Sequence, residues 1–242
     1  MRTVYDRAFF ADRDTETRYS AEQILNLIAE VIPSISSVAD VGCGTGTWLA
    51  VAKERGATNV IGFDGDWVDL DLLEVDAAEF LPRDLALPIE SERRYDLAIS
   101  LEVAEHLPIA SAQTIVQSLT SLSDFVLFSA AIPGQGGVNH VNERWQSYWA
   151  GLFGAAGYDP FDVIRPHVWT DSQIGFPYRQ NTLLYVTRSR QSELRTTMPM
   201  SPTESISIVH PELFLAATSM SIRKAWRDLG LAVRRRFFGG GA

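Results

Sequence analysis

Three side chains that can bind a proton or a metal ion lie within five residues of the sequence. Glu102, Glu105 and His106 occur in the stretch "SLEVAEHLP", directly after an apolar run that predicts a buried strand. A fourth such group, His140, follows the next predicted strand in the stretch "PGQGGVNHVNERW". Strands of a doubly wound fold bind ligands beyond their carboxyl ends, so we expect the four side chains to meet at one edge of a sheet.

This set of side chains supports two kinds of chemistry and one purely structural role. In the first, His106 is a general base, and Glu102 or Glu105 fixes its tautomer. In the second, Glu102, Glu105, His106 and His140 bind Mg, Mn or Zn, and the metal lowers the pKa of an acceptor hydroxyl group. In the third, His106 caps the turn into Pro108, Glu105 is solvated and Glu102 only lines the cofactor pocket. The sequence leaves all three open.

A glycine-rich turn lies earlier in the chain. The stretch "VADVGCGTGTW" places Gly42, Gly44 and Gly46 between a predicted strand and a helix, where a ligand can approach the backbone. The spacing is G-x-G-x-G, whereas the dinucleotide fingerprint is G-x-G-x-x-G. A carboxylate at Asp40 would repel a diphosphate, so the turn favours a cationic ligand.

Further candidates for cofactor binding follow this turn. The second predicted strand ends at Asp64, near the distance from the turn at which an acidic residue binds ribose hydroxyl groups. Trp67 could lie against an adenine ring, and Asp84 in "PRDL" could accept a hydrogen bond from its amino group. Leu101, where the fourth predicted strand ends, completes the predicted pocket.

In this order, "VADVGCGTG", "IGFDGD", "PRDL" and "YDLAISLEVAEHLP" resemble the class I S-adenosylmethionine-dependent methyltransferases over about residues 20–188. The resemblance implies S-adenosylmethionine as cofactor, with the three glycines at its methionine and ribose, Asp64 at the ribose hydroxyl groups and Asp84 at the adenine. Two alternatives remain. One is an NAD(P)-dependent oxidoreductase, and the other is a catalytically silent binding module with the same fold.

Finer resemblances indicate the reaction. The E-x-x-E-H spacing with a later histidine is similar to the metal site of small-RNA 2'-O-methyltransferases, and ubiquinone-pathway O-methyltransferases have a similar segment. The region from "LFSAAIPGQGG" to "RQNTLLYV" resembles a bacterial subgroup that modifies polysaccharides and glycosides. The net charge of -9 disfavours a nucleic-acid partner. We therefore expect O-methylation of a small molecule, a sugar or glycoside. Trp145 and Trp149, four residues apart, favour packing over sugar stacking.

The elements that must position these groups are predicted from apolar periodicity. A helix should begin at Ser20, as its N-cap, and end at Pro33. The fold class is α/β, a doubly wound Rossmann-like sheet of seven mostly parallel strands with a short helical C-terminal extension. The predicted strands are 37–41, 59–63, 79–85 as an edge strand because of Pro82, 95–101, 125–131, 161–166 and 181–187, and the further helices are 47–56, 110–122 and 145–156.

The predicted organisation is a methyltransferase domain over residues 1–188, a linker over 189–202 and a basic tail over 203–242. Six basic and three acidic residues lie from Ser201 onward. Apolar residues of the tail recur at helical spacing, at Ile222, Trp226, Leu229, Val233 and Phe237. Such a helix could lie on an anionic membrane, or dock on this chain or a second subunit. Without a signal peptide or a long apolar run, we expect a cytoplasmic protein, with peripheral contact at the inner membrane surface.

Overall fold

The computed structural model describes residues 7–195 and 206–218. The chain divides into two compact units, residues 1–210 and 211–242. In the second unit the described element is one helix, α7 (Pro211–Thr218). In the described ranges no helix has the length and apolarity needed to cross a membrane.

The first unit is built on a seven-stranded sheet, as the sequence predicts. The spatial order is β3-β2-β1-β4-β5-β7-β6. The first five strands are parallel, and β7 runs antiparallel to both β5 and β6. The strands are β1 (Ser37–Val41), β2 (Asn59–Asp64), β3 (Phe80–Pro82), β4 (Leu97–Leu101), β5 (Phe125–Ser129), β6 (Tyr158–Phe161) and β7 (Leu183–Thr187).

Helices cover both faces of this sheet because alternate residues of each buried strand point to opposite sides. In β4, Leu97 and Ile99 join the apolar cluster that contains Ile24 of α1, whereas Ala98 joins the cluster that contains Ile115 of α3. The helices of this unit are α1 (Arg7–Val31), α2 (Thr47–Glu54), α3 (Ala112–Leu122), α4 (Gln146–Ala155), α5 (Arg165–Val168) and α6 (Phe176–Asn181).

The predicted start of the first helix is wrong. Helix α1 begins at Arg7, so Ser20 lies in its interior and not at its N-cap. Its hydroxyl group donates to the Glu16 carbonyl oxygen at 2.7 Å and accepts the Gly175 N–H at 3.1 Å. A serine inside a helix can bond to the carbonyl four residues earlier, and here it also anchors a neighbouring loop.

The predicted strand at residues 161–166 is also wrong. Strand β6 ends at Phe161, and Arg165 already begins α5 with Pro166 in its first turn. Proline is favoured there because the first turn of a helix needs no N–H donor.

Other predictions based on proline and glycine are confirmed. Strand β3 is at the edge of the sheet and ends at Pro82. Helix α2 ends near Gly56, which has φ 99° and donates its N–H to the Lys53 carbonyl oxygen. A positive φ at this place is typical of glycine after a helix.

The first compact unit extends beyond the predicted domain end at residue 188. Within the predicted linker, Leu194 is buried, and the Arg195 N–H donates to the Val31 carbonyl oxygen at 2.9 Å. Residues 206–210 also belong to the first unit. The amphipathic pattern at residues 222–237 lies outside the described residues.

Candidate functional site

The glycine turn joins β1 to α2 in a conformation that suits glycine. Gly42, Gly44 and Gly46 have φ values of 88°, 54° and 86°. A Cβ atom added to Gly42 would lie 2.3 Å from a methyl group of Val103. This close approach places the segment after β4 directly against the turn.

Two carboxyl groups, Asp40 and Asp64, are buried beside this turn, with exposed fractions of 2% and 8%. Asp64 accepts the N–H groups of Gly44 at 2.8 Å and Gly65 at 2.7 Å. Burial raises the pKa of Asp64, although these two bonds oppose the shift. Burial and then the charge of Asp64 raise the pKa of Asp40 well above its usual range. Oδ2 of Asp40 has no hydrogen-bond partner among the described residues. A cation here would favour the ionised form of both groups.

The other predicted cofactor residues lie at the carboxyl ends of β2, β3 and β4. Trp67 is 53% exposed, and its ring lies on Gly65, where an added Cβ atom would be 2.1 Å from a ring carbon. Asp84 is exposed and accepts the Ala86 N–H at 2.9 Å. Leu101 is buried at the end of β4. Their contacts with an adenine ring stay predictions.

Glu105, His106 and His140 come together as predicted. One ligand atom from each lies within 4.8 Å of the others. The two imidazole rings meet edge to face, with centroids 4.8 Å apart. Glu105 and His106 lie in a 3-10 turn just after β4, and His140 lies in the loop after β5. One carboxylate oxygen and two imidazole nitrogens form a donor set typical of divalent metal sites.

The Glu105 carboxyl group is the most buried member of this cluster. The residue is 1% exposed, so the interpretation of Glu105 as a solvated residue is wrong. Neither carboxylate oxygen accepts a hydrogen bond of good geometry among the described residues, although the backbone N–H groups of Glu105 and Ala131 act on the carboxylate. Burial, followed by the nearby charge of Glu102, raises the pKa of Glu105 well above its usual range. Because burial outweighs these two N–H groups, the carboxyl group is further stabilised by a cation or by a proton.

Glu102 does not belong to this group of three, which corrects the four-residue set. Its Oε1 accepts from Asn181 Nδ2 at 3.0 Å, and its Oε2 accepts from Gln135 Nε2 at 2.8 Å. Its backbone has φ 56°, and its N–H donates to both the hydroxyl and the carbonyl oxygen of Ser129. Both carboxylate oxygens are therefore held by amide groups, beside Glu105.

Hydrogen bonds within the loop that carries His140 fix the position of its imidazole ring. His140 Nδ1 lies 3.0 Å from Glu143 Oε1. The Glu143 carboxylate also accepts the N–H groups of Gly134 and Gly136, at 2.8 Å and 2.7 Å. An added Cβ atom on Gly137 would lie 2.2 Å from His140 Nε2. Glu143 therefore orients the imidazole ring, as a partner of a ligand or of a base does.

The same loop is attached to the 3-10 turn below it. The N–H groups of Val141 and Asn142 donate to the Glu105 carbonyl oxygen at 2.9 Å and 3.0 Å. The Asn142 side chain donates to the Ala104 carbonyl oxygen. These bonds hold His140 beside Glu105 although 35 positions separate them in the chain.

Sequence reasoning missed Gln135 in this loop and Gln180 in α6, which are joined by a hydrogen bond. An amide side chain gives no chemical signal in a sequence, and nothing in the spacing links these two positions.

The prediction that the two tryptophans pack in the fold is confirmed for Trp149, which is 1% exposed and packs on Phe128. It is wrong for Trp145, which is 43% exposed.

The sequence matches the family described as "Methyltransferase domain" over residues 12–153, which is more than half of the chain. The chain belongs to this family. The match includes the glycine turn, Asp64, Asp84 and the whole E-x-x-E-H segment. The protein is an S-adenosylmethionine-dependent methyltransferase, and this assignment replaces the oxidoreductase and the silent binding module.

Solved structures of methyltransferases share the fold. DesVI from Streptomyces venezuelae is similar with a TM-score of 0.52 and 16% identity, over 74% of this chain and 95% of that one. CalS10 from Micromonospora echinaspora, an amino pentose methyltransferase, has a TM-score of 0.53 and 13% identity, over 77% and 99%. The methyltransferase domain of bacterial CtHen1-C has a TM-score of 0.51 and 17% identity, over 72% and 98%. No curated protein matches the methyltransferase significantly.

Proposed function

We propose that this methyltransferase transfers the methyl group of S-adenosylmethionine to a hydroxyl group of a small molecule, a sugar or glycoside. The observation that carries the proposal is the cluster of Glu105, His106 and His140 next to the glycine turn. In the reaction the acceptor oxygen attacks the methyl carbon, the carbon–sulfur bond breaks, and the acceptor proton must leave. A hydroxyl acceptor therefore needs a group that removes this proton or lowers the pKa of the hydroxyl group.

The cofactor site that we propose is the one predicted from the sequence. Gly42, Gly44 and Gly46 let the backbone approach the ligand, and Asp64 binds the ribose hydroxyl groups. The buried carboxyl group of Asp40 favours a ligand that carries positive charge. The adenine ring lies near the remaining predicted contacts, which are Trp67, Asp84 and Leu101.

We further propose that Glu105, His106 and His140 hold a divalent cation of the Mg, Mn or Zn group. The support is their mutual distance and the burial of the Glu105 carboxylate, which accepts no hydrogen bond of good geometry among the described residues. When bound, such an ion would lower the pKa of the acceptor hydroxyl group. The chain's own part is to fix the imidazole of His140 through Glu143 and to keep Glu102 nearby as a second negative charge. The alternative is a metal-free reaction in which His106 takes the proton.

The acceptor class is proposed from three further observations. CalS10, which shares the fold, is an amino pentose methyltransferase. Trp145, in the same loop region as His140, is exposed and available for a flat apolar face of a sugar ring. The net charge of -9 opposes binding of a nucleic acid.

An acceptor screen tests the proposed function. Sugars, nucleotide sugars and glycosides are incubated with the enzyme and radiolabelled S-adenosylmethionine, with EDTA or with added Mg, Mn or Zn. We expect label in a base-stable methyl ether, activity lost in EDTA and restored by one of the metals. Activity that survives EDTA and does not respond to metals would leave His106 as the base.

Matched histidine variants separate the cluster from general effects on the fold. His140→Ala should lower methyl transfer at least about a hundredfold, since loss of a metal ligand or of its oriented partner has effects of this order. His167→Ala changes an exposed histidine outside the cluster and should leave the rate unchanged. Equal rates for the two variants would contradict the proposed role of His140.

Peripheral membrane contact of the tail stays a proposal of its own. Anionic liposomes should sediment the full chain, and a chain ending at Thr218, without the basic residues from Arg223 to Arg236, should stay in the supernatant. Equal sedimentation of both chains would contradict membrane contact through the tail.

A further inference from the structure

Three amide side chains connect Glu102 to a distant part of the chain. Gln135 lies in the loop after β5, and Gln180 and Asn181 end α6. Gln180 and Asn181 are buried, with exposed fractions of 0% and 2%. We call these three residues the amide network. An amide has one accepting and one donating end, so its orientation decides what it presents to a carboxylate.

The orientation of Gln135 is set by the backbone. Its Oε1 accepts the Ile132 N–H at 3.3 Å, and this group can only donate. Its Nε2 must then point away from Ile132, and it donates to Glu102 Oε2 at 2.8 Å.

The orientation of Gln180 is set by residues 206–210, which lie beyond the predicted domain end. Gln180 Oε1 accepts the His210 N–H at 2.7 Å. Its Nε2 therefore points the other way, and it donates to Gln135 Oε1 at 3.2 Å and to Asn181 Oδ1 at 3.0 Å.

The orientation of the Asn181 amide is fixed by its neighbours. Its Oδ1 accepts from Gln180 and also from Gln146 Nε2 at 3.3 Å, so its Nδ2 faces Glu102 and donates to Oε1 at 3.0 Å. The same Nδ2 group donates to Gln135 Oε1 at 2.9 Å. Gln180 thus donates to the accepting ends of Gln135 and Asn181, and these two amides donate to the Glu102 carboxylate.

We infer that Gln180 is a positioning residue of the methyltransferase, which transmits the backbone contact of His210 to Glu102 by donating to the accepting ends of both amides that hold its carboxylate. The inference rests on the proposed function, in which Glu102 acts beside Glu105. If Gln180 were reversed, its Oε1 would face Gln135 Oε1 and Asn181 Oδ1, and acceptor would meet acceptor. Residues 206–210 therefore belong to the scaffold of the site although they follow the last strand of the sheet.

A double-mutant cycle tests the inference without any acceptor. Gln180 and Glu102 are joined only through Gln135 and Asn181 in the bonds described above. Gln180→Met, Glu102→Gln and the double variant are unfolded in urea. The free-energy changes of two substitutions are non-additive when the residues belong to one hydrogen-bond network, and they are additive when the residues are independent. We expect the effect of Glu102→Gln on the unfolding equilibrium constant to be at least about threefold smaller in the Gln180→Met background. Additive effects would overturn the inference.

Two other variants make the result specific to the network. Ser207→Ala removes the bond from the Ser147 N–H to the same segment without touching Gln180, and it should be additive with Glu102→Gln. If Gln180→Met does not fold, Gln180→Asn keeps an amide but shortens the side chain by one methylene group and should give the same coupling. Coupling as large for Ser207→Ala as for the Gln180 variant would count against a specific relay.

Kinetics with an acceptor from the screen add a readout that a merely structural residue would not change. Gln180→Met should lower kcat at least about tenfold and leave the KM for S-adenosylmethionine within about twofold, since the change acts on the acceptor side. An unchanged kcat would overturn the inference even if stability falls. If the wild-type enzyme methylates nothing in the screen, the proposed acceptor class fails, and the cycle in urea still decides for or against the relay.

Discussion

Two residues at the carboxyl edge of the sheet have a left-handed backbone without being glycine. Glu102 has φ 56° and Asn139 has φ 60°. The conformation costs about 1 kcal/mol or more for a residue with a Cβ atom, and such costs concentrate at functional sites. At Glu102 the two bonds to Ser129 and the two amide donors hold the residue in place. The backbone strain at Glu102 therefore coincides with a carboxylate whose direction is fixed by its hydrogen bonds.

Gly42 gives a prediction at the residue scale. Gly42→Ala combines left-handed strain with an overlap with Val103, so we expect a loss of about 3 kcal/mol in the free energy of unfolding. Gly56→Ala is the matched control, since Gly56 has φ 99° but no atom within 4 Å of an added Cβ, and it should cost about 1–2 kcal/mol. Urea denaturation measures both.

The Gly42 overlap can also be relieved. Val103→Ala in the Gly42→Ala background should recover part of the lost free energy of unfolding. Calorimetry should find that Gly42→Ala alone binds S-adenosylhomocysteine more weakly than the wild type. Equal costs for Gly42→Ala and Gly56→Ala would contradict the close contact between the turn and Val103.

The chemistry of individual residues could be predicted where the residue type itself is informative. The glycine turn, Asp64 and the Glu105–His106–His140 cluster were found because carboxylates, imidazoles and closely spaced glycines are restricted in what they do. Gln135, which donates to Glu102, and Gln180, which donates to Gln135, could not be predicted. Gln135 and Gln180 become neighbours only when the loop after β5 and helix α6 meet, and a glutamine has no reactivity that would single it out.

At the scale of elements, β1 and β4 are joined at their amino ends by one carboxylate. Asp96 Oδ2, just before β4, accepts the N–H and the hydroxyl group of both Ser36 and Ser37, at 2.8 to 3.0 Å. Partial burial acts to raise the pKa of Asp96, but the four bonds outweigh it and the pKa lies below its usual value. Asp96 therefore fixes the two central strands whose opposite ends carry Asp40 and Glu102.

Removal of this carboxylate should destabilise the protein in a pH-dependent way. Asp96→Ala should lower the free energy of unfolding by about 2–3 kcal/mol at pH 7, because hydrogen bonds to a charged acceptor are lost. A lowered folded-state pKa gives stability that is present above the unfolded value of about 3.9 and is lost as the pH falls through the folded value. Urea denaturation between pH 7 and pH 3 should show the gap between wild type and variant closing below about pH 4.

The exposed Glu92, in the loop before β4, provides the control. Glu92→Ala should change the free energy of unfolding by less than about 0.5 kcal/mol at every pH, as is usual for surface substitutions. A gap for Asp96→Ala that does not change with pH would mean that packing, and not the charge, joins the strands.

Elements were predictable where apolar periodicity and a breaker residue agree. Strands β1, β2, β4 and β5 are nearly continuous apolar runs with few polar residues, and Pro82 and Gly56 mark the ends of β3 and α2. The errors arise where a local signal is overridden by packing. Ser20 looks like an N-cap but bonds inside a long helix, and the apolar residues Val163 and Ile164, predicted to be in a strand, are buried just before α5.

At the scale of the whole chain, residues 206–210 complete the first compact unit by contacts to buried polar groups. The Ile206 carbonyl oxygen accepts from the Arg165 guanidinium at 2.8 Å, and Arg165 is 1% exposed. The Ile208 carbonyl oxygen accepts from Gln146 at 3.1 Å. Without these residues a buried cation and two buried amides would lose partners, which is costly. The sequence could not predict this, since the polar composition before residue 206 indicates the end of a domain.

Two truncated chains test the importance of this segment. A chain ending at Arg195 should unfold about 10 °C below a chain ending at Thr218, because the loss of these bonds costs about 3–5 kcal/mol and each kcal/mol shifts Tm by about 2–4 °C. Scanning calorimetry of both chains measures the difference. Equal Tm values would show that residues 206–210 are dispensable for the fold.

The reversed direction of β7 has a consequence for how the site is assembled. In a parallel sheet, residues that follow a strand reach the ligand edge, while residues that precede one arrive at the far side. Strand β7 pairs Leu183 with Phe128 near the end of β5, so β7 starts where its neighbour finishes. The chain therefore returns to the ligand edge before it enters β7. Gln180 and Asn181 lie at this edge because they precede a strand, whereas the proposed metal ligands follow one. One antiparallel strand thus lets the segment that follows β5 and the segment that precedes β7 contribute side chains to the same edge of the sheet.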